Sequence, residues 1–244
     1  MAHALGLTRD ALLLSHLDDP APPTFDALLA RRIAGEPVAY ITGTRDFWTI
    51  SLAVAPGVLI PRPDSETLIE AALAHFGTKG PGTVLDLGTG SGALLLAALD
   101  QWPEARGIGI DRSQAALAIA QDNADRLGLS TRASFILGDW AAGIVDRYDL
   151  VLCNPPYVEA GARLPLEVAG HEPSSALFAG PDGLDAYRAL APQLERLIAP
   201  GGIAAIEIGA DQAGAVAGLL AAEGLRTSLR HDLAGRDRCI VATG

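Results

Sequence analysis

Two short stretches of this 244-residue chain carry residue types and spacings that could do chemistry. The first is Asp86-Leu87-Gly88-Thr89-Gly90-Ser91-Gly92. Glycines at alternate positions let the main chain turn sharply and let a ligand approach the backbone. A helix starting just beyond would offer unpaired N–H groups. Asp111, at the end of the next predicted strand, can accept hydrogen bonds from both hydroxyls of a ribose. Together these point to a nucleoside cofactor. The run Gly88-x-Gly90-x-x-Ala93 also satisfies a dinucleotide fingerprint, so a nicotinamide dinucleotide and S-adenosylmethionine both remain open. Asp86, ahead of the first glycine, suits a cationic ammonium better than a pyrophosphate and leans the reading to the latter. Asp139-Trp140, after a later strand, adds a polar group and an aromatic plane on which an adenine could stack.

The second stretch is Asn154-Pro155-Pro156-Tyr157, directly after the apolar run Val151-Leu152-Cys153. Two prolines in series stiffen the backbone and remove two N–H donors, leaving carbonyls as acceptors. The Asn154 amide oxygen is another acceptor, and Tyr157 supplies a flat face. A planar NH2 group fits such a site, with two donors meeting two acceptors and its π-system against the ring. An amide or aryl NH2 is a poor nucleophile because its lone pair is delocalised. Accepting both of its protons raises electron density on nitrogen and favours attack on an electrophilic methyl group. Catalysis would then come from positioning and electrostatics rather than from a strong base. Cys153 should point to the opposite face of its strand, into the core, and is not read as a nucleophile.

These residues need a scaffold, and the hydropathy pattern supplies one. From Thr83 onward, strands and helices alternate. Strands are expected at 83–87, 107–110, 133–137, 148–153 and 203–208, and helices at 92–101, 113–127, 184–198 and 211–222. Such alternation implies a parallel sheet covered on both faces. Two last strands, 226–231 and 238–242, are joined by a loop too short for a parallel crossover, so they should pair antiparallel. Before residue 80 the chain differs. A helix is expected over Leu5–Leu17, and another after Thr24, which could cap it, ending at Gly35. Val38–Thr42, Gly43 and Phe47–Val54 read as a hairpin. Ile60-Pro61-Arg62-Pro63 reads as an extended link, and Asp64 or Ser65 as the cap of a helix over Glu66–His75.

Composition narrows the classes. A hydrophobic fraction of 49% excludes a disordered chain. With 18 basic and 29 acidic residues the net charge is −11, which weighs against direct nucleic-acid binding. Cys153 and Cys239 lack metal-ligand spacing, no metal site is expected, and the cysteine usage fits a reducing cytoplasm. No signal peptide is evident, and no run approaches the roughly 18 apolar residues of a membrane span.

With these residues in view, the chain resembles the PrmC/HemK family of protein-(glutamine-N5) methyltransferases, which modify peptide chain release factors. The resemblance covers nearly the whole chain. It runs through Arg31–Gly43, Phe47-Trp48, Leu59–Glu66, the glycine loop, Asp139-Trp140, Asn154–Tyr157, Gly183–Asp185 and Asp232–Arg236. It implies an α/β, Rossmann-like methyltransferase fold with a seven-stranded sheet, its last strand antiparallel. A partial helical substrate-docking domain (1–36) and a β-hairpin linker (37–63) would precede the methyltransferase domain (64–244).

It also implies S-adenosylmethionine as cofactor, held by Asp86, Gly88, Thr89, Gly90, Ser91, Gly92, Asp111, Asp139, Trp140 and Asn154. Asn154, Pro155, Pro156 and Tyr157 would hold the substrate amide, with Asn154, Pro155 and Tyr157 catalytic. The implied substrate is the glutamine of a Gly-Gly-Gln loop in a release factor. The alternatives are a ribosomal-protein glutamine, an amino group of a nucleobase, and a non-catalytic protein that docks to translation factors. A sister family that acts on a ribosomal protein usually has serine after the Pro-Arg pair, where this chain has Pro63. His3–Leu7 resembles the second half of the family's N-terminal domain, so either an earlier start or a missing opening helix is expected. Ser65 stands where threonine is usual, and His171-Glu172-Pro173 where phenylalanine more often leads.

Overall fold

A computed structural model describes residues 1–244. The chain opens with α1 (Ala2–Leu5) and α2 (Arg9–Ser15). The single helix expected over Leu5–Leu17 is therefore two. Gly6 turns left-handed (φ 68°) after Leu5, and the Thr8 side chain accepts from the Ala11 N–H to start the next helix. The helix α3 (Phe25–Ile33) follows Thr24, but the Thr24 side chain makes no capping bond. None of α1, α2 and α3 contains a buried residue.

Val38–Thr42, expected as a strand, is the short helix α4. Its β-branched residues favour extended structure, but tertiary contacts override them. The Tyr40 and Ile41 N–H groups donate to the Pro37 carbonyl, and the buried Tyr40 hydroxyl donates to the Val58 carbonyl at 2.6 Å. The hairpin lies just beyond, as β1 (Thr44–Phe47) and β2 (Ile50–Ala53), paired antiparallel. It is part of the main core: Phe47, Ile50 and Leu52 are buried with the sheet and its helices. Trp48 Nε1 donates to Gln101, Thr49 Oγ1 to Asp100, and Asn123 bonds both backbone groups of Ala53.

The remaining elements are α5 (Glu66–Phe76), β3 (Thr83–Leu87), α6 (Ala93–Gln101), β4 (Arg106–Asp111), α7 (Gln114–Arg126), β5 (Ala133–Leu137), β6 (Tyr148–Cys153), α8 (Leu166–Ala169), α9 (Asp185–Leu197), β7 (Ile198–Glu207), α10 (Ala213–Ala222), β8 (Arg226–His231) and β9 (Asp237–Thr243). The seven-stranded sheet has the order β5-β4-β3-β6-β7-β9-β8. Strands β3 to β7 are parallel, and β9 is antiparallel to both neighbours. Alternate residues of the central strand β6 serve opposite faces, as the pleat requires. Leu150 and Leu152 enter the core beneath α5, α6 and the hairpin, while Val151 and Cys153 enter the one beneath α9 and α10. No helix is long and apolar enough to cross a membrane.

The strand order reverses between β3 and β6, and ligands bind beyond the carboxyl ends of strands at such a point. Leu87 pairs with both Ile110 and Cys153, and Cys153 pairs with Ile206. Asp111, the glycine loop, Asn154 and Glu207 consequently leave four adjacent strands at one edge of the sheet.

Candidate active site

The glycine loop turns back on itself between β3 and α6. Gly88, Gly90 and Gly92 all have positive φ (75°, 57° and 84°), which a side chain would resist. The Gly88 and Thr89 N–H groups donate to the Ile110 carbonyl, and Asn123 holds the Ser91 carbonyl at 2.9 Å. Asp111 closes the loop from β4. One carboxylate oxygen accepts from Gly90 N–H and the other from Ser113 N–H, each at 2.9 Å. The carboxylate is thereby fixed in place, with remaining lone pairs for a ligand's hydroxyls.

These groups line a cavity of about 610 Å3, together with Asp139, Trp140, Phe47 and Ser65. Trp140 takes φ 49°, a backbone conformation uncommon for a bulky residue and found disproportionately at functional turns. Its ring lies beside Gly88 of the loop. An adenosine fits these residues, with a carboxylate for the ribose and an aromatic plane beside the loop.

Asp86 is placed differently from the expectation. It lies under the loop, 1% exposed, and does not line the cavity. Its Oδ2 accepts from the Thr89 hydroxyl at 2.7 Å and from Leu95 N–H at 3.3 Å, while Oδ1 has no partner. It braces the loop against α6.

Burial pushes the Asp86 carboxyl up to about 7, against the pull of its hydrogen bonds to Thr89 and Leu95. The folded chain thus holds this proton more tightly than the unfolded chain does. The stability that protonation contributes is complete below the ordinary value of 3.8 and is lost as pH rises through about 7. Asp86→Asn should flatten the stability profile across that window in urea denaturation. An unchanged slope would contradict this account of the buried charge.

Asn154 lines the large cavity and also a second one of about 240 Å3, shared with Tyr157, Arg62 and Glu207. Its Nδ2 donates to Ser65 Oγ at 3.0 Å, and its Oδ1 makes no hydrogen bond within the protein. Tyr157 lies on the small-cavity side, where its hydroxyl donates to Glu207 Oε1 at 3.2 Å. Pro156 lines the large cavity, and Pro155 is buried beside it. Buried Cys153 has its thiol pushed well up by desolvation, consistent with a core role.

Several residues gain importance only in three dimensions. Ser65, expected as a helix cap, makes no capping bond, and its hydroxyl turns to Asn154 instead. Glu207 was not singled out from the sequence. It is 1% exposed, at the carboxyl end of β7 beside Asn154, with burial pushing it up to about 7. The signal was available: a lone carboxylate between Ile206 and Ile208 at the end of an apolar strand. Buried Glu172 pairs with Arg62 and accepts from Ile60 N–H at 3.0 Å, tying the extended link to the loop before α9. Glu66 accepts from Trp48 N–H, Arg31 pairs with Glu36 and Arg32 with Glu167. His171 lines neither cavity.

Comparison with known proteins agrees with this geometry. Residues 79–221 match the family model described as a methyltransferase domain, and residues 1–43 match the PrmC N-terminal domain. The release factor glutamine methyltransferase of Rhodospirillum rubrum is 47% identical over 98% of this chain and 75% of its own length. That of Cereibacter sphaeroides is 48% identical over 99% of this chain and 88% of its own length. Among solved structures, a methyltransferase from Pyrococcus furiosus aligns with a TM-score of 0.60 over 89% of this chain and 98% of its own, at 17% identity. A ribosomal protein L11 methylase from Lactobacillus delbrueckii subsp. bulgaricus gives 0.58 over 78% and 83%, at 21% identity. These two bear on the fold alone. On sequence match over nearly its full length, the chain is a methyltransferase and belongs to the release factor glutamine methyltransferase family.

Proposed function

We propose that the protein transfers a methyl group from S-adenosylmethionine to the side-chain nitrogen of the glutamine in the Gly-Gly-Gln loop of a peptide chain release factor. One observation carries the reading. Asn154 sits where the cofactor-sized cavity meets the smaller one, with its amide oxygen free of any partner in the protein.

S-adenosylmethionine, when bound, supplies an electrophilic methyl on a positively charged sulfur. Asp111 holds the ribose, Trp140 flanks the base, and the glycine loop lets the rest of the cofactor approach the main chain. Asn154 Oδ1 and the Pro155 carbonyl accept the two N–H bonds of the incoming amide. Tyr157, its hydroxyl anchored on Glu207, offers the amide plane a ring face. These groups orient the nitrogen lone pair toward the methyl and stabilise the positive charge that develops on nitrogen. Where ionised, the buried carboxyls Asp86 and Glu207 favour that charge. A slender, mobile loop suits the small cavity, and the net charge of −11 disfavours a polyanionic substrate. The reaction belongs in the cytoplasm, where release factors act.

The test is methyl transfer from labelled S-adenosylmethionine to purified release factor, with ribosomal proteins and DNA offered in parallel. Label confined to the release factor supports the reading. Label on a ribosomal protein or on DNA overturns the substrate assignment, and absence of transfer with intact cofactor binding overturns the catalytic one.

A further inference from the structure

We propose that Ser65 and Glu207 are positioning residues that fix which end of the Asn154 amide faces the methyl acceptor. The inference rests on the role assigned to Asn154 above. The two ends of an asparagine amide are nearly equal in shape and opposite in hydrogen bonding, one an acceptor and the other a double donor. Only the oxygen end can receive an N–H of a substrate amide. The flipped side chain would set NH2 against NH2.

The direction is set behind Asn154. Its Nδ2 donates to Ser65 Oγ at 3.0 Å. A hydroxyl has one proton, and it is a reliable acceptor only when that proton is committed elsewhere. The Ser65 hydroxyl neighbours the Glu207 carboxyl and favours its ionised form. Glu207 Oε1 already takes the Tyr157 hydroxyl, and its buried Oε2 has no hydrogen-bond partner. An ionised carboxylate can only accept. In the proposed order the unpartnered Oε2 is the acceptor open to the Ser65 proton, which leaves the Ser65 lone pairs for Asn154 and turns Oδ1 to the cavity. Ser65 ends a 3-10 turn (Pro63–Ser65) that runs directly into α5, so its backbone is already helical and its hydroxyl is left free to meet Asn154.

The order of donors depends on the charge of Glu207. The groups facing it are Arg238 from β9, which favours ionisation, and Asp64, which opposes it and itself pairs with Arg238 at 3.4 Å. Arg62 lines the same small cavity. Tyr157, Tyr187, Cys153 and Cys239 also neighbour Glu207, each held neutral by burial. With burial pushing Glu207 up to about 7, it gains a proton as pH falls below neutrality. A neutral carboxyl can donate to Ser65, releasing the serine proton toward Asn154 and permitting the flip.

The test pairs a measurement on the ligand-free protein with kinetics. In wild type, one Asn154 side-chain N–H should exchange slowly with water by NMR, and Ser65→Ala should speed that exchange. Ser65→Ala and Glu207→Gln should each lower kcat about tenfold or more, the scale of one hydrogen bond to a charged or oriented group, with a smaller effect on cofactor Kd. Ser65→Thr, which keeps the hydroxyl, should retain kcat. In Glu207→Gln the fall of kcat below about pH 7 should vanish. Fast exchange in wild type, or wild-type kcat in Ser65→Ala, overturns the proposal. Thermal melts show whether either variant is folded, and Ser65→Ala, a small change of volume, decides the matter if Glu207→Gln is not. If wild type methylates no release factor, the substrate reading fails, while the exchange measurement still decides the hydrogen-bond order.

Discussion

Asn154→Ala will lower methyl transfer by about 100-fold or more, the effect of deleting one preorganised polar contact to a developing charge. It will leave cofactor affinity within a few-fold of wild type. The separation follows from geometry. The residues expected to grip the cofactor lie on β4 and on the loops after β3 and β5, whereas Asn154 follows β6 and lines both cavities. The loss should fall on kcat, because the Asn154 oxygen acts most strongly as positive charge appears on the substrate nitrogen. Asn154→Asp keeps an acceptor of the same size but adds a charge. It also leaves Ser65 Oγ facing a carboxylate instead of an N–H donor, so it should not restore full activity. Single-turnover rates with cofactor binding by calorimetry separate the two effects. A tenfold loss of cofactor affinity with an unchanged chemical step would contradict the assignment.

Asp111→Ala has the opposite signature. The side chain is expected to accept from both ribose hydroxyls, and hydrogen bonds to a charged group contribute about 1.5–3 kcal/mol each. Cofactor Kd should therefore rise by about 100-fold or more. The Gly90 and Ser113 N–H groups, which now donate to this carboxylate at 2.9 Å, lose their acceptor too, so the loop loosens. At saturating cofactor the methyl-transfer rate should recover most of its wild-type value. Asp111→Asn should also bind poorly, because its NH2 end would meet one of those two N–H donors head on. Calorimetric titration with S-adenosylmethionine checks this directly. An unchanged Kd would remove Asp111 from the cofactor site.

The parts of the molecule that could be read from the sequence are those with local causes. The glycine loop, the strand-ending Asp111 and Asn154–Tyr157 are contiguous motifs whose backbone requirements are written into their residue types. The alternation after Thr83 reflects a parallel sheet covered by helices, so β3 to β6, β8 and β9 fall close to their expected limits, while β7 starts at Ile198, five residues before the expected Ile203. The misreadings came where tertiary contacts outweigh local preference. Val38–Thr42 has strand-forming residues yet is helical, fastened by Pro37 and by the Tyr40 hydroxyl bond to Val58. Asp86 looked like a ligand to the cofactor because it precedes the glycines, but the pleat of β3 points it inward, under Thr89 and Leu95. Glu207 belongs to no motif, and Ser65 reads from the sequence only as a helix cap. They meet Asn154 only because β7 lies beside β6 and α5 starts against both.

The most direct measurement is mass spectrometric mapping of the methyl group after reaction of the wild-type enzyme, S-adenosylmethionine and an unmodified release factor. The account predicts a single methyl on the side-chain nitrogen of the Gly-Gly-Gln glutamine, and none when Asn154→Ala replaces wild type over the same time. A methyl on any other residue, or an equal yield from Asn154→Ala, would contradict it.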